Sequence, residues 1–142
     1  MKYRALITGA TGFVGGYVAE CLHAEGWHVS AVVRSTSQRD VLPPTVRDDM
    51  QFYDADQMPL LEIVRTAAPS VVFHLATYYT TEHSPAEIDA LISANITFGT
   101  KLLDAMAQHG VQNFVYARSS WQYYRGDAYE PVNLYAASKE AF

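Results

Sequence analysis

The sequence predicts an α/β fold with a doubly wound parallel sheet, and three observations support this prediction. Apolar strand-like runs alternate with amphipathic helical segments along the 142 residues. The run at 70–76 is almost continuously apolar, as expected of a strand covered on both faces. The first run leads directly into a glycine-rich turn and a helix. Strands that alternate with helices are joined by right-handed crossovers into a parallel sheet.

Each predicted strand is a short apolar run bounded by turn residues or by the end of a helix. In chain order the five strands are residues 3–7, 28–33, 50–53, 70–76 and 113–117. The stretch 35–50 is polar and contains Pro43 and Pro44, so we expect mostly loop there.

The predicted helices carry apolar residues at spacings of three and four. They are residues 12–25, 58–68, 85–109 and 133–142. Gly26 and Gly110 end the first and third helices, and Pro69 ends the second. Ser84 and Pro85 suit the cap and the first residue of the third helix. The last segment stops without a C-terminal signal, so we expect the sheet to be truncated after it.

Composition argues against several classes of function. The net charge of −5 gives no reason to expect nucleic acid or an anionic membrane surface as a partner. Cys21 is the only cysteine and the five histidines lack HxxxH or HExxH spacing, so we expect neither a disulfide framework nor a metal site. No apolar run reaches the about 18 residues of a membrane span, and the N-terminus resembles a strand rather than a signal peptide. We therefore expect a cytoplasmic protein.

The glycine-rich turn has the spacing Gly9-x-x-Gly12-x-x-Gly15, with an apolar strand before it and an amphipathic helix after it. Gly9 permits a tight turn, Gly12 lets the backbone approach phosphate oxygens, and Gly15 lets the helix pack closely on the strand. The helix N-terminus offers N–H groups and a partial positive charge to a pyrophosphate. A plain strand–helix turn is the alternative, but the flanking elements favour a Rossmann-like dinucleotide site.

Two positions bear on the identity of the dinucleotide. The second strand ends in Arg34 with Arg39 nearby, where an acidic residue would bind a ribose 2′-hydroxyl and an arginine accommodates a 2′-phosphate. This favours NADP(H) over NAD(H), unless both arginines are solvated loop charges. Asp54, after the third strand, suits either the adenine rim or a cap on the helix near Met58.

A tyrosine and a lysine lie four residues apart in the last helix, at Tyr135 and Lys139. Residues at this spacing are neighbours on a helix, and an ammonium beside a phenol favours the phenolate. Such a phenol can exchange a proton with a substrate hydroxyl as hydride moves. Many solvated helices also carry this pattern. Ser119, after the fifth strand, would lie at the carboxyl edge of the sheet, where it can hold the substrate oxygen.

Two polar residues lie within apolar segments. Asn95 falls on the apolar side of the long helix, and a buried amide is costly unless hydrogen-bonded. We expect it to tie this helix to neighbouring backbone. His74 lies in the buried fourth strand and is expected to be a hydrogen-bonded core histidine.

Jointly these residues resemble the extended short-chain dehydrogenase/reductase family, in its NAD-dependent epimerase/dehydratase group. The matching segments are Thr8 to Gly15, Asp54, His74-Leu75-Ala76, Asn95 with Gly99-Thr100, Phe114 to Ser119, and Tyr135-x-x-x-Lys139. The resemblance implies that Tyr135 is the acid/base, that Lys139 binds the nicotinamide ribose and biases Tyr135, and that Ser119 hydrogen-bonds the reacting oxygen. The cofactor-binding residues that it implies are Gly9, Thr11, Gly12, Phe13, Val14, Gly15, Arg34, Asp54, Ala55, Leu75, Ala76, Thr77, Tyr135 and Lys139.

The resemblance also implies a nucleotide-sugar substrate and allows a homodimer. Ser120-Trp121-Gln122 and residues 131–142 look most like reductases and epimerases of CDP-linked deoxysugars, such as the abequose and paratose synthases. Members of this family normally continue beyond the Tyr–Lys helix into a substrate domain. We therefore expect residues 1–142 to be an incomplete dinucleotide-binding domain that is poorly active alone. A cofactor sensor without turnover, or an inactive fragment, are the alternatives. Arg118 is expected to contact a phosphate or to pair with Asp127 or Glu130.

Overall fold

The computed structural model describes residues 3–126 and 128–142. The chain forms two compact units. The first unit is Met1–Ala76 with Leu102–Tyr116, and the second unit is Thr77–Lys101 with Ala117–Phe142.

The first unit contains the five-stranded sheet. Its strands are β1 (Arg4–Thr8), β2 (His28–Val33), β3 (Gln51–Asp54), β4 (Val71–His74) and β5 (Phe114–Tyr116). All pair in parallel, in the order β3-β2-β1-β4-β5. The order therefore reverses beside β1, because the chain crosses from β3 to β4 on the other side. The predicted parallel sheet is confirmed. In such sheets ligands bind beyond the carboxyl ends of the strands at the reversal point.

The first unit contains α1 (Phe13–Ala24), α2 (Pro44–Arg47) and α3 (Leu60–Ala67), with a 3₁₀ turn at Arg39–Val41. The short helix α2 and the turn at Arg39–Val41 interrupt the stretch 35–50, and the rest of it is loop, as predicted. Pro44 occupies a first-turn position, where a missing N–H costs nothing. Leu42 and Val46 are buried in the same cluster as Ile7 and Val29, so core packing stabilises this turn.

The second unit contains the segment predicted as one long helix. It begins with a 3₁₀ turn at Pro85–Glu87 and continues as α4 (Ile88–Ile92), a π-helical stretch at Ser93–Thr97 and α5 (Phe98–Gln108), which extends into the first unit. The predicted start is confirmed, because Ser84 and Glu87 form a capping box with proline in the first turn. The last helix is α6 (Leu134–Ala141), which the Asn133 side chain caps. Among residues 3–126 and 128–142 there is no helix whose length and apolar character would let it cross a membrane.

Candidate cofactor and catalytic sites

The glycine-rich turn follows β1 directly at the reversal point of the sheet. Gly9 has φ of 78°, and a Cβ there would lie 2.7 Å from the backbone N of Ala76. A Cβ on Gly15 would lie 2.0 Å from the carbonyl oxygen of Gly9. Neither position has room for a side chain, so the turn packs closely against the chain after β4, and α1 packs closely against the turn. Both contacts lie within the first unit.

We call the turn formed by Gly9, Gly12 and Gly15 the glycine cradle, and the first turn of α1 begins in it at Phe13. Gly12 is the N-cap residue and brings no side chain that could occupy the first-turn N–H groups, which have no acceptor within the helix. Phe13 and Val14 are 83% and 56% exposed beside it. Free N–H groups and the positive end of the helix dipole suit an anionic group. The residues of this turn therefore fit the pyrophosphate of a dinucleotide.

A threonine–histidine contact holds the ends of β1 and β4 together. The Thr8 hydroxyl oxygen accepts the Ala76 N–H at 3.2 Å and lies 2.7 Å from His74 Nδ1. The Leu75 N–H donates to the Thr8 carbonyl at 3.1 Å. His74 is buried and stacks on Tyr116, which confirms the predicted core histidine. The role of the Thr8 side chain was not predicted from the sequence, although a polar residue at the end of an apolar strand was the available signal.

The ends of β2 and β3 are joined by carboxylates. Asp54 accepts from the Ser35 hydroxyl at 2.7 Å and from the Asp56 N–H at 2.9 Å. Asp56 accepts from the Ser35 N–H at 2.8 Å. The alternative that Asp54 caps the next helix is wrong, because Pro59 is the N-cap residue of α3. Arg34 is exposed at this edge of the first unit.

Of the other predicted cofactor residues, Thr11, Ala55, Leu75 and Ala76 are partly buried in the first unit. Thr77 is exposed and belongs to the second unit. Arg39 is exposed, and its guanidinium lies over the Phe52 ring, 5.0 Å from the centroid.

Tyr135 and Lys139 lie one turn apart on α6 in the second unit, and both are buried, at 9% and 4% exposure. The Tyr135 ring meets the Tyr79 ring edge-on at 5.1 Å and the Trp121 ring at 6.5 Å. Burial lowers the pKa of Lys139 to about 8, because an ammonium loses its hydration there. Tyr135 and Lys139 therefore do not lie on a solvated helix face, which was the alternative to a catalytic pair in the sequence analysis.

Asn95 confirms its predicted structural role within the second unit. Its Oδ1 accepts from the Thr77 hydroxyl at 3.0 Å and from the Tyr78 N–H at 2.7 Å. Its Nδ2 donates to the Tyr78 carbonyl and to the Ser138 hydroxyl, both at 3.0 Å. The π-helical stretch thus carries an amide with all four hydrogen bonds made, which ties it to the Tyr78 backbone and to α6.

Ser119 lies at the start of a 3₁₀ turn, Ser120–Gln122. Its hydroxyl oxygen accepts the Trp121 N–H at 3.3 Å, and its own N–H donates to Gln122 Oε1 at 2.8 Å. The role of Gln122 was also not predicted, although Ser-x-x-Gln is the spacing of a capping box.

The expected partners of Arg118 need correction. Arg118 pairs with the carboxylate of Glu140 and donates to the Tyr123 hydroxyl at 2.8 Å. Glu130 instead lies 3.5 Å from Arg125. Asp127 lies outside the described residues. Arg118 and Glu140 are 22 residues apart in sequence, so this pairing depends on how α6 packs and not on a local pattern.

Comparison with known proteins gives consistent results. A family model described as NAD dependent epimerase/dehydratase family matches residues 5–142. UDP-glucose 4-epimerase of Corynebacterium glutamicum is 27% identical over 146 residues, which cover 96% of this chain and 43% of that protein. The chain spans about half the length of most curated relatives that it matches.

Solved structures share the fold. UDP-glucose 4-epimerase from Brucella ovis in complex with NAD superposes with a TM-score of 0.84 at 24% identity, covering 98% of this chain and 45% of that one. MoeE5 in complex with UDP-glucose and NAD gives a TM-score of 0.79 at 26% identity, covering 97% and 46%.

Proposed function

Since the chain belongs to the NAD-dependent epimerase/dehydratase family, we propose that it is the dinucleotide-binding portion of an enzyme that epimerises, dehydrates or reduces a nucleotide-sugar. The observation that carries this proposal is the glycine cradle, where Gly9 and Gly15 leave no room for a Cβ at the carboxyl end of β1. The structure of MoeE5 in complex with UDP-glucose supports a UDP-hexose as the first substrate to test.

The coenzyme is held chiefly by backbone in this proposal. The N–H groups at the start of α1 bind the pyrophosphate, and the cradle keeps side chains out of its way. Asp54 and Ala55 line the adenine end of the coenzyme site. The segment after β4, Leu75 to Thr77, also lines this site. When bound, the nicotinamide accepts or returns a hydride at its C4.

Three residues of the second unit carry the proton chemistry. Tyr135 exchanges a proton with the reacting sugar hydroxyl, and Ser119 hydrogen-bonds the same oxygen. Lys139 binds the nicotinamide ribose and favours the phenolate of its neighbour. Because the pKa of Lys139 is about 8, this side chain carries its charge at neutral pH and loses it as the pH rises.

The first experiment separates binding from turnover. We expect calorimetric titration of the chain to show binding of NADH or NADPH. Turnover is tested on the full-length enzyme of which the chain is proposed to be a portion, where addition of UDP-glucose to the oxidised complex should give a 4-epimer or a 4-keto product. Replacement of Tyr135 by Phe should lower turnover about 10²- to 10⁴-fold, the usual contribution of general acid–base catalysis, while leaving coenzyme binding intact.

The control for this experiment is Tyr129→Phe, since Tyr129 is 50% exposed. Failure to bind either coenzyme would overturn the proposal. Binding without turnover would favour the sensor alternative instead.

For the coenzyme type we propose a preference for NADP(H), because Arg34 occupies the position after β2 where a guanidinium pairs with a 2′-phosphate. The matched probes are 2′,5′-ADP and 5′-AMP, which differ by that phosphate. Arg34→Ala should weaken 2′,5′-ADP binding while leaving 5′-AMP binding unchanged. The carboxylates of Asp54 and Asp56 lie at the same edge and would repel a 2′-phosphate. A protein that binds both probes equally well would refute this preference.

A further inference from the structure

A fully buried glutamine connects two segments of the second unit. Gln122 has no exposed surface. Its Oε1 accepts the Ser119 N–H at 2.8 Å, and its Nε2 donates to the carboxylate of Glu140 on α6. Both ends of the amide are therefore engaged by protein groups. A side chain so placed does not reach a substrate, and its effect must pass through the groups that it holds.

The orientation of this amide is fixed by what it contacts. The Ser119 N–H requires an acceptor and the Glu140 carboxylate requires a donor, so a rotated amide would oppose like groups at both ends. Arg118 also donates to Glu140 and to the Tyr123 hydroxyl, which balances the carboxylate charge. Only one orientation of the Gln122 amide therefore satisfies both neighbours.

The segments joined in this way are those that carry the proposed proton chemistry. On one side, Ser119 accepts the Trp121 N–H, and the Trp121 ring meets the Tyr135 ring. On the other side, Glu140 directly follows Lys139 on α6. We propose that Gln122 and Glu140 form an amide–carboxylate clamp that sets the position of Ser119 relative to Tyr135, which makes Gln122 a positioning residue. The catalytic consequence rests on the proposed function, whereas the clamp itself does not.

Removal of the clamp should affect turnover more than substrate binding. Gln122→Ala leaves the Ser119 N–H without its acceptor and removes one of the two donors to Glu140 Oε2, which keeps Arg118. A misplacement of about 1 Å in a catalytic group can cost about 10²-fold in rate. We expect kcat to fall about 10- to 100-fold with KM unchanged, because Gln122 does not touch the substrate.

An exchange of the two side chains tests the clamp without removing it. Gln122→Glu alone sets two carboxylates against each other, so kcat should fall and should partly recover at low pH, where one of them takes up a proton. The double variant Gln122→Glu with Glu140→Gln restores an acceptor for Ser119 and a donor opposite it. This exchange should recover part of the lost kcat, because an amide nitrogen in place of Glu140 Oε2 cannot accept from Arg118.

A matched control lies on α5, where Gln108 donates to Asp104 at 2.8 Å in an exposed amide–carboxylate pair. Gln108→Glu should leave kcat at the wild-type value. A spectroscopic readout that needs no turnover is Trp121 emission in a Trp27→Phe background, since the chain has two tryptophans. Gln122→Glu should shift this emission, and the exchange should reverse the shift.

Wild-type kcat and emission in Gln122→Ala would overturn the clamp, as would an exchange variant that recovers neither. If the full-length wild-type enzyme shows no turnover but the emission follows the predicted pattern, the proposed function fails and the clamp stands.

Discussion

Lys139 has a proposed catalytic role, and its burial carries a cost to stability. Its pKa is about 8 in the folded protein, against 10.5 without burial. Below pH 8 both folded and unfolded chains hold the proton, and the cost of burying the ammonium is fully present. Between pH 8 and 10.5 only the unfolded chain holds it, so the folded state gains stability as the pH rises.

We therefore expect the free energy of unfolding of the wild type, relative to Lys139→Met, to be constant below about pH 7.5 and to increase up to pH 10.5. Urea unfolding of both proteins at several pH values measures this difference. Parallel pH curves for the two proteins would show that burial does not set the charge of Lys139.

At the scale of the element, two adjacent glycines of α1 differ in what surrounds them. A Cβ on Gly15 would lie 2.0 Å from the Gly9 carbonyl oxygen, whereas a Cβ on Gly16 would make ordinary contacts at 3.6 Å. Gly15→Ala should cost about 1–3 kcal/mol through overpacking and abolish coenzyme binding. Gly16→Ala should stabilise the helix by about 0.5–1 kcal/mol and leave coenzyme binding unchanged.

Thermal unfolding and coenzyme titration of the two alanine variants provide the measurement. The same helix carries both changes, so helix propensity cancels between them. Equal effects of the two substitutions would contradict close packing of α1 on the glycine turn.

The elements that sequence predicted well depend on local signals. Apolar runs and helix stop residues predicted the five strands of the described residues, with every end within two residues of the observed one. The short helix α2 was missed because Pro43 and Pro44 suggest a loop, and only burial of Leu42 and Val46 among distant residues stabilises it. The π-helical stretch was missed for a similar reason. The hydrogen-bond partners of Asn95 are Thr77, Tyr78 and Ser138, which are all distant from Asn95 in sequence.

The candidate site shows the same division between local and distant signals. The glycine spacing and the Tyr135–Lys139 pair are short patterns that can be read directly. Gln122 and Glu140 lie 18 residues apart, and no local pattern in the sequence links them. The role proposed for Gln122 depends on its burial, which a single sequence does not reveal for a polar residue.

At the scale of the whole molecule, the predicted cofactor residues are distributed over both units. The glycine cradle, Arg34, Asp54 and the residues after β4 up to Ala76 belong to the first unit, whereas Thr77, Ser119, Tyr135 and Lys139 belong to the second. A ligand protects the amides of the segments that it stabilises, so hydrogen exchange can report on each unit separately.

We expect ADP and NAD(P)H to protect different sets of amides. Both contain the diphosphate, so both should slow exchange in the first turn of α1 and in the segment after β4, by about 100-fold at a concentration 100 times the Kd. ADP lacks the nicotinamide ribose that Lys139 is proposed to bind. Protection of α6 should therefore appear with NAD(P)H alone. Exchange in α6 that is unchanged by either ligand, while α1 is protected by both, would remove Lys139 and Tyr135 from the coenzyme site and retain the glycine cradle.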